Sequence, residues 1–143
     1  MRMIKKINHA IVGVWRIVAH ETILDDGETV RQFGDAPRGR LILTDTGHMT
    51  GFVAASNRTP GHSDEQRADL HRSMIAYSGT YRVDADRFIV AVDLSWHALW
   101  DGTEQTRTFR IEGDHLHIVS AAGPSPFRPG RTSHSHLSWV REG

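Results

Sequence analysis

Three residues of the sequence could together move a proton: Asp93, His97 and Tyr81. Asp93 lies near the end of an apolar run, and His97 follows between Trp96 and Trp100, where a strand would meet a loop. An imidazole exchanges protons near neutral pH, and a carboxylate beside it would make a minimal acid–base unit. In the alternative interpretation, Asp93 faces solvent and His97 lies in a hydrated turn. We therefore treat catalysis by these residues as a hypothesis.

Arg107 is the strongest candidate for holding a ligand. In the run Gln105–Ile111, strand alternation puts Arg107 on the same side as Phe109. If that apolar side faces the interior, the guanidinium points inward, where burial is costly without a partner. The partner is either an internal carboxylate, Glu21 or Asp93, or a ligand that carries a carboxylate or carbonyl group. In a further alternative, Arg107 lies at the hydrated rim of the barrel.

Aromatic side chains supply the rest of the predicted ligand-binding surface. Tyr81 shares a strand face with Val83, so its phenol either orients a ligand or packs as a core tyrosine. Pockets for small apolar molecules are lined mostly by such rings. The predicted ligand-binding residues are Arg107, Tyr81, Trp96, Trp100, Phe109 and Phe52.

Ten histidines are unusual for a chain of this length, and four of them form two His-x-His pairs. His115 and His117 share one strand face, and His134 and His136 share a face of the next strand. Four imidazoles could bind a divalent metal. However, the intervening apolar residues, such as Leu116, should face inward and turn the histidines to solvent. We therefore predict no metal site.

The composition excludes several functional classes. The 143 residues fit a single domain, spanning 1–143, and 17 basic against 17 acidic residues leave no basic surface for nucleic acid. Cysteine is absent, and no glycine-rich phosphate loop is present, so no cofactor is predicted. The N-terminus has no continuous apolar stretch, which predicts a cytoplasmic protein that does not enter a membrane. A homodimer is also compatible with the sequence.

Turn residues recur between short runs of β-branched and aromatic residues, which predicts an all-β meander of eight to ten strands that closes into a barrel. One helix is predicted over Asp64–Ala76, because Ser63 and Gln66 form a capping box at its start. A short helical turn is predicted at Lys5–Val12. The predicted strands are Gly13–Leu24, Val30–Phe33, Arg40–Thr44, His48–Ala55, Gly79–Val83, Phe88–Trp96, Gln105–Ile111, His115–Ala121 and Thr132–Arg141.

Gly13-Val14-Trp15 at the start of the first long strand resembles the Gly-x-Trp opening of the lipocalins, and the chain is similar to the lipocalin-like domain family. The further matching segments are 30–34, 43–49, 76–81, 100–107, 113–116 and 137–141. The resemblance implies that Trp15 closes one barrel end and stacks on Arg141. Where the family often carries two histidines, this chain has Val90-Ala91, so a role for those histidines cannot be transferred.

Two functions remain open. The first is binding of a small hydrophobic metabolite, carboxylated or carbonyl-bearing, with Arg107 and Tyr81 at its polar end. The second is a cofactor-independent enzyme, a cyclase, isomerase or dehydratase, that uses Asp93, His97 or Tyr81 as proton donor or acceptor. The resemblance implies either function, because related barrels include both carriers and cofactor-free enzymes.

Overall fold

The computed structural model describes residues 9–143, and an antiparallel sheet of ten strands dominates them. A nine-residue helix connects the fourth and fifth strands, and a 3₁₀ turn at Ala98–Trp100 connects the sixth and seventh. The elements in chain order are β1 (Gly13–Leu24), β2 (Thr29–Val30), β3 (Arg38–Leu43), β4 (His48–Ala54), α1 (Asp64–Arg72), β5 (Met74–Asp84), β6 (Arg87–Ser95), β7 (Glu104–Glu112), β8 (His115–Ser120), β9 (Gly123–Pro124) and β10 (Thr132–Arg141).

Eight of these strands close into a barrel. The ring runs β1-β3-β4-β5-β6-β7-β8-β10, and β1 pairs with β10 from Trp15↔Arg141 to Leu24↔Ser133. The two-residue strands β2 and β9 extend the sheet beside β1 and β10. Among the described strands, closure leaves no long unpaired edge, and such edges are where β-proteins otherwise aggregate. The prediction of a closed antiparallel barrel with one helix is confirmed.

The two barrel ends differ. At one end the strands are joined by tight turns, and Trp15 lies there fully buried, with its indole Nε1 donating to the carbonyl of Ile11 at 2.9 Å. The guanidinium carbon of Arg141 lies 4.1 Å from the Trp15 ring centroid, which confirms the predicted stacking. The opposite end, called the mouth below, carries α1, the 3₁₀ turn and the loop from residue 121 to 131.

Helix α1 begins as predicted but ends earlier. The Ser63 side chain accepts from the backbone N–H of Gln66, and the Gln66 side chain accepts from the backbone N–H of Ser63, which is the predicted capping box. The predicted end at Ala76 is wrong, because the helix ends at Arg72. Met74 already pairs with Ala54 of β4, so strand pairing replaces the helix from that residue.

Two other predicted elements also change. The strand predicted over Val30–Phe33 is reduced to Thr29–Val30, and Phe33 instead packs as a buried residue of the following loop. Of the turn predicted at Lys5–Val12, residues 5–8 lie outside the described part of the chain. In the described part, the backbone N–H of Val12 donates to the carbonyl of His9 at 3.3 Å, which closes a turn.

Candidate ligand-binding site

The barrel encloses a cavity of about 600 Å³, within the range of pockets that hold drug-sized molecules. The walls are mostly apolar, and the loop from Ala121 to Pro129 extends them at the mouth. The apolar lining residues on the strands include Leu41, Met49, Val53, Ile75, Phe88, Ile118 and Leu137. The cavity can therefore accommodate a small, largely apolar molecule.

Two arginines of the loop at the mouth hold it against the segments that follow β1 and β2. Arg131 donates to Asp25 at 2.6 Å, and this hydrogen bond holds the pKa of the Asp25 carboxyl below its usual value. Arg128 donates to the side-chain carbonyl of Gln32 at 2.9 Å. These contacts hold Phe127 over the cavity, where its ring packs edge-on against Phe33.

One side of the cavity is polar. Arg107 on β7 and Ser120 on β8 are cross-strand partners, and the backbone N–H of Ser135 on β10 donates to Ser120 Oγ at 2.8 Å. Gln105 and Ser133 lie at the next inward positions towards the mouth. These five residues, called the polar belt below, place one cation among three hydroxyls and an amide.

Within the described part of the chain, the Arg107 guanidinium has uncharged partners. Its Nη1 donates to the backbone carbonyl of Thr106 at 3.1 Å and to the Gln105 amide oxygen at 3.4 Å. No carboxylate among residues 9–143 forms an ion pair with it. The side chain is half-buried and lines the cavity, on the side that strand alternation predicted. A charge in this position is favourable for an anionic ligand group.

Neither of the two internal partners considered for Arg107 pairs with it. Glu21 lies 3.9 Å from the Arg31 guanidinium, in a partly exposed ion pair. Asp93 is exposed on β6 and accepts a hydrogen bond from the Ser78 hydroxyl at 2.8 Å. Both carboxylates are therefore engaged elsewhere.

His20 is a cavity residue that the sequence analysis did not identify. Alternation along β1 from Trp15 and Ile17 would turn His20 outward. However, Ile17 pairs with Trp139 and Ala19 with Ser138, so Val18 is an extra residue in a β-bulge. The bulge shifts the inward positions from odd to even residues, as bulges do. Nothing in the local sequence marks it, because it depends on pairing with β10.

The His20 imidazole is buried, uncharged and incompletely hydrogen-bonded. Its exposed fraction is 3%, and its ring lies edge-on to Phe33 with centroids 4.7 Å apart. Burial lowers the pKa of His20 from 6.5 to about 4, so the ring is neutral at pH 7. Its Nδ1 is buried without a hydrogen-bond partner in the described chain.

Trp139 presents a second polar atom of the same kind. The side chain is 3% exposed and lines the cavity, and its indole Nε1 has no hydrogen-bond partner among residues 9–143. A buried hydrogen-bonding group left unsatisfied costs about 1–3 kcal/mol. Native proteins contain few such groups, so each one needs an explanation.

Two predicted site residues lie at the mouth and one lies behind it. His97 and Trp100 line the cavity, with ring centroids 6.1 Å apart. Trp96 does not line the cavity but stacks behind Phe127, with centroids 6.0 Å apart. Its indole N–H donates to the carbonyl of His71 at 3.2 Å and so connects the mouth to α1.

The remaining predicted residues have mixed positions. Phe52 lines the cavity at the mouth and is 42% exposed. Phe109 does not line the cavity but packs edge-on against Phe88, which does. Tyr81 is buried near the closed end, and its hydroxyl donates to the carbonyl of Thr44 at 2.6 Å. Burial raises the pKa of this phenol.

The three residues of the catalytic hypothesis are not brought together. His97 reaches the cavity, Tyr81 lies in the core near the opposite end, and Asp93 points to solvent. An Asp–His pair is therefore not formed by Asp93. The cavity instead carries one imidazole at the mouth, that of His97, and another inside, that of His20.

The two His-x-His pairs lie on the paired strands β8 and β10. The rings of His117 and His136 approach to 5.6 Å between centroids, and burial is the largest cause that lowers the pKa of His117. No group of three or more histidine, aspartate or glutamate side chains in the described chain is placed to hold a metal ion.

The chain matches the family model described as a lipocalin-like domain over residues 12–142, nearly its whole length. It belongs to the lipocalin-like domain family. No curated protein matches this lipocalin-like chain. Within the described residues, no helix has the length and apolar character needed to cross a membrane.

Among solved structures, two of the fluorescent protein UnaG are similar to this lipocalin-like chain. The wild-type structure is 14% identical, covers 94% of this chain and 98% of its own, and superposes with a TM-score of 0.43. The N57Q mutant is 14% identical, covers 93% and 96%, and has a TM-score of 0.40.

Proposed function

We propose that this chain binds a small hydrophobic molecule that carries a carboxylate, and that Arg107 holds the carboxylate. The observation that carries the proposal is the Arg107 guanidinium itself, which lines a mostly apolar cavity and whose partners among residues 9–143 are an amide and a backbone carbonyl group. A cation in such a site gains most from an anionic partner, because the surroundings screen the attraction less than water does.

The polar belt supplies the remaining contacts for a carboxylate. Ser120 Oγ already accepts from the backbone of Ser135, so its own hydroxyl proton is available to a ligand oxygen. A guanidinium offers two parallel N–H groups that match the two oxygens of a carboxylate. The apolar walls formed by Leu41, Met49 and Ile118 would cover the body of the molecule.

A cofactor-independent enzyme is the second candidate, favoured by one observation. His97 lines the mouth beside Trp100, where its imidazole could exchange a proton with a bound substrate. With Asp93 exposed to solvent and Tyr81 buried near the closed end, His97 would act as the acid or base without either of them. A dehydration or isomerisation next to the mouth is the reaction type this arrangement would serve.

Native mass spectrometry of freshly purified protein, followed by extraction of the bound molecule, tests the proposal. We expect a near-stoichiometric apolar carboxylic acid that is released unchanged, and a much smaller adduct in Arg107→Met. Arg110→Met is the matched control, because Arg110 on the same strand faces solvent and pairs with Glu112. A bound molecule without an anionic group would overturn the proposal, and conversion of the bound molecule on incubation would favour the enzyme.

A further inference from the structure

Two unsatisfied hydrogen-bonding atoms of the cavity lie on neighbouring strands. Trp139 on β10 is the partner of Ile17 on β1, and His20 on β1 is the partner of Leu137 on β10. His20 and Trp139 are therefore diagonal neighbours on the inner face, a relationship that lets long side chains touch the same atom. Both line the cavity, and each is at least nine-tenths buried.

This pair differs from the polar belt in its charge. The Trp139 indole can only donate a hydrogen bond, whereas a neutral His20 ring can donate or accept at Nδ1. Burial keeps His20 uncharged at pH 7, since it lowers the pKa to about 4. Neither residue of the pair can balance a negative charge, which makes the site suitable for a neutral oxygen.

We infer that the ligand carries, besides its carboxylate, an uncharged oxygen, a hydroxyl or a ketone carbonyl, that is held between Trp139 Nε1 and His20 Nδ1. The inference rests on the proposed function, because it assumes that the carboxylate lies at the polar belt. A hydroxyl would accept from Trp139 and donate to His20. A carbonyl would accept from Trp139 and from the Nδ1–H tautomer of His20.

The strands set the distance between the two polar groups of the ligand. Ser135 of the polar belt and Trp139 are four residues apart on β10, which is roughly 13 Å at about 3.3 Å per residue. Of these two residues, Trp139 lies nearer the closed end of the barrel. A chain of about ten carbons with bonds of ~1.5 Å covers a comparable distance. The ligand class is therefore a medium-length carboxylic acid with an oxygen near its far end.

Calorimetric titration with decanoate, 10-hydroxydecanoate and 9-oxodecanoate tests the inference directly. In the wild type we expect one of the two oxygenated acids to bind about 10-fold more tightly than decanoate, the gain expected of one or two buried hydrogen bonds. In Trp139→Phe the gain should fall below about 3-fold, because phenylalanine keeps the ring but lacks the N–H. Tighter binding of 10-hydroxydecanoate would indicate that the site holds a hydroxyl, and tighter binding of 9-oxodecanoate would indicate a carbonyl.

Two further variants test whether the gain in affinity depends on this pair of residues. His20→Phe should also reduce the gain. Trp96→Phe should leave it unchanged, because the Trp96 indole donates to the His71 carbonyl outside the cavity. If Trp139→Phe does not fold, the indole N–H signal of Trp139 in a nuclear magnetic resonance spectrum provides a second readout. The chemical shift of this signal should change when the more tightly binding oxygenated acid is added, and it should stay unchanged with decanoate.

The outcomes separate this inference from the proposed function. If all three acids bind with equal affinity in a manner that depends on Arg107, the inference is wrong and the proposed function stands. If none of them binds to folded protein, both are wrong. If the gain is present but unchanged in Trp139→Phe and His20→Phe, the oxygen is held elsewhere and the inference is overturned.

Discussion

The guanidinium of Arg141 stacks on the ring of Trp15, and the two residues are direct partners in the pairing of the first strand with the last. Arg141 also donates to the carbonyls of Val12 and Ala10, at 2.9 and 2.6 Å. One side chain thus connects the seam that closes the barrel with the turn that covers its closed end.

We expect Arg141→Met to lower the free energy of unfolding by about 2 kcal/mol, because it removes a cation–π contact and two hydrogen bonds from a charged donor. Urea denaturation measures the change. Arg16→Met is the control, because Arg16 is exposed on the outer face of β1. Equal stability of the two variants would show that neither the Trp15 contact nor the two hydrogen bonds of Arg141 stabilise the fold.

The β-bulge at Val18 predicts that the fold tolerates deletion of this residue. Deletion of Val18 should lower the free energy of unfolding by less than about 1 kcal/mol, because the pairs Ile17↔Trp139 and Ala19↔Ser138 then follow one another regularly. Deletion of Glu21 should lower it by more than about 3 kcal/mol, since it moves the rest of the strand to the opposite face. Similar losses in the two deletions would contradict the assignment of the bulge.

The lowered pKa of His20 predicts a loss of stability in acid. The folded value is about 4 and the unfolded value is 6.5, so between these pH values the unfolded chain binds more protons than the folded one. Stability therefore falls as the pH drops from 6.5 to 4, by about 3 kcal/mol for this group at 1.36 kcal/mol per unit.

Urea denaturation at pH 7 and at pH 4 measures this loss. His20→Phe should lose about 3 kcal/mol less than the wild type over the interval, whatever its stability at pH 7. His117→Gln is a useful comparison, because burial also lowers the pKa of His117 but that ring lies near the surface. If the free energy of unfolding of His20→Phe falls between pH 7 and pH 4 by as much as that of the wild type, His20 does not titrate in this way.

Tyr81→Phe should affect stability and leave binding intact. The substitution removes the hydrogen bond to Thr44, which contributes about 1 kcal/mol, and keeps the ring in the core. We expect unfolding at a lower urea concentration with an unchanged affinity for an apolar carboxylic acid. A large loss of affinity, or of any activity found for the protein, would show that Tyr81 takes part in binding or catalysis.

The features that could be predicted from the sequence are those that local patterns decide. Alternation along β7 predicted that Arg107 faces inward, and the capping box predicted where α1 begins. The end of α1 could not be predicted, because residues from Met74 onward gain more from pairing with β4 than from continuing a helix. His20 was missed for a similar reason, since the bulge that turns it inward exists only when β1 meets β10.

The affinity of Arg107→Met for decanoate, measured beside that for decanol, tests the central claim most directly. We predict that decanoate binds at least about 10-fold more weakly than to the wild type, because a charge-assisted hydrogen bond is lost, while decanol binds within about 2-fold. Arg110→Met, altered on the outer face of the same strand, should bind both as the wild type does. Unchanged binding of decanoate by Arg107→Met would contradict the account.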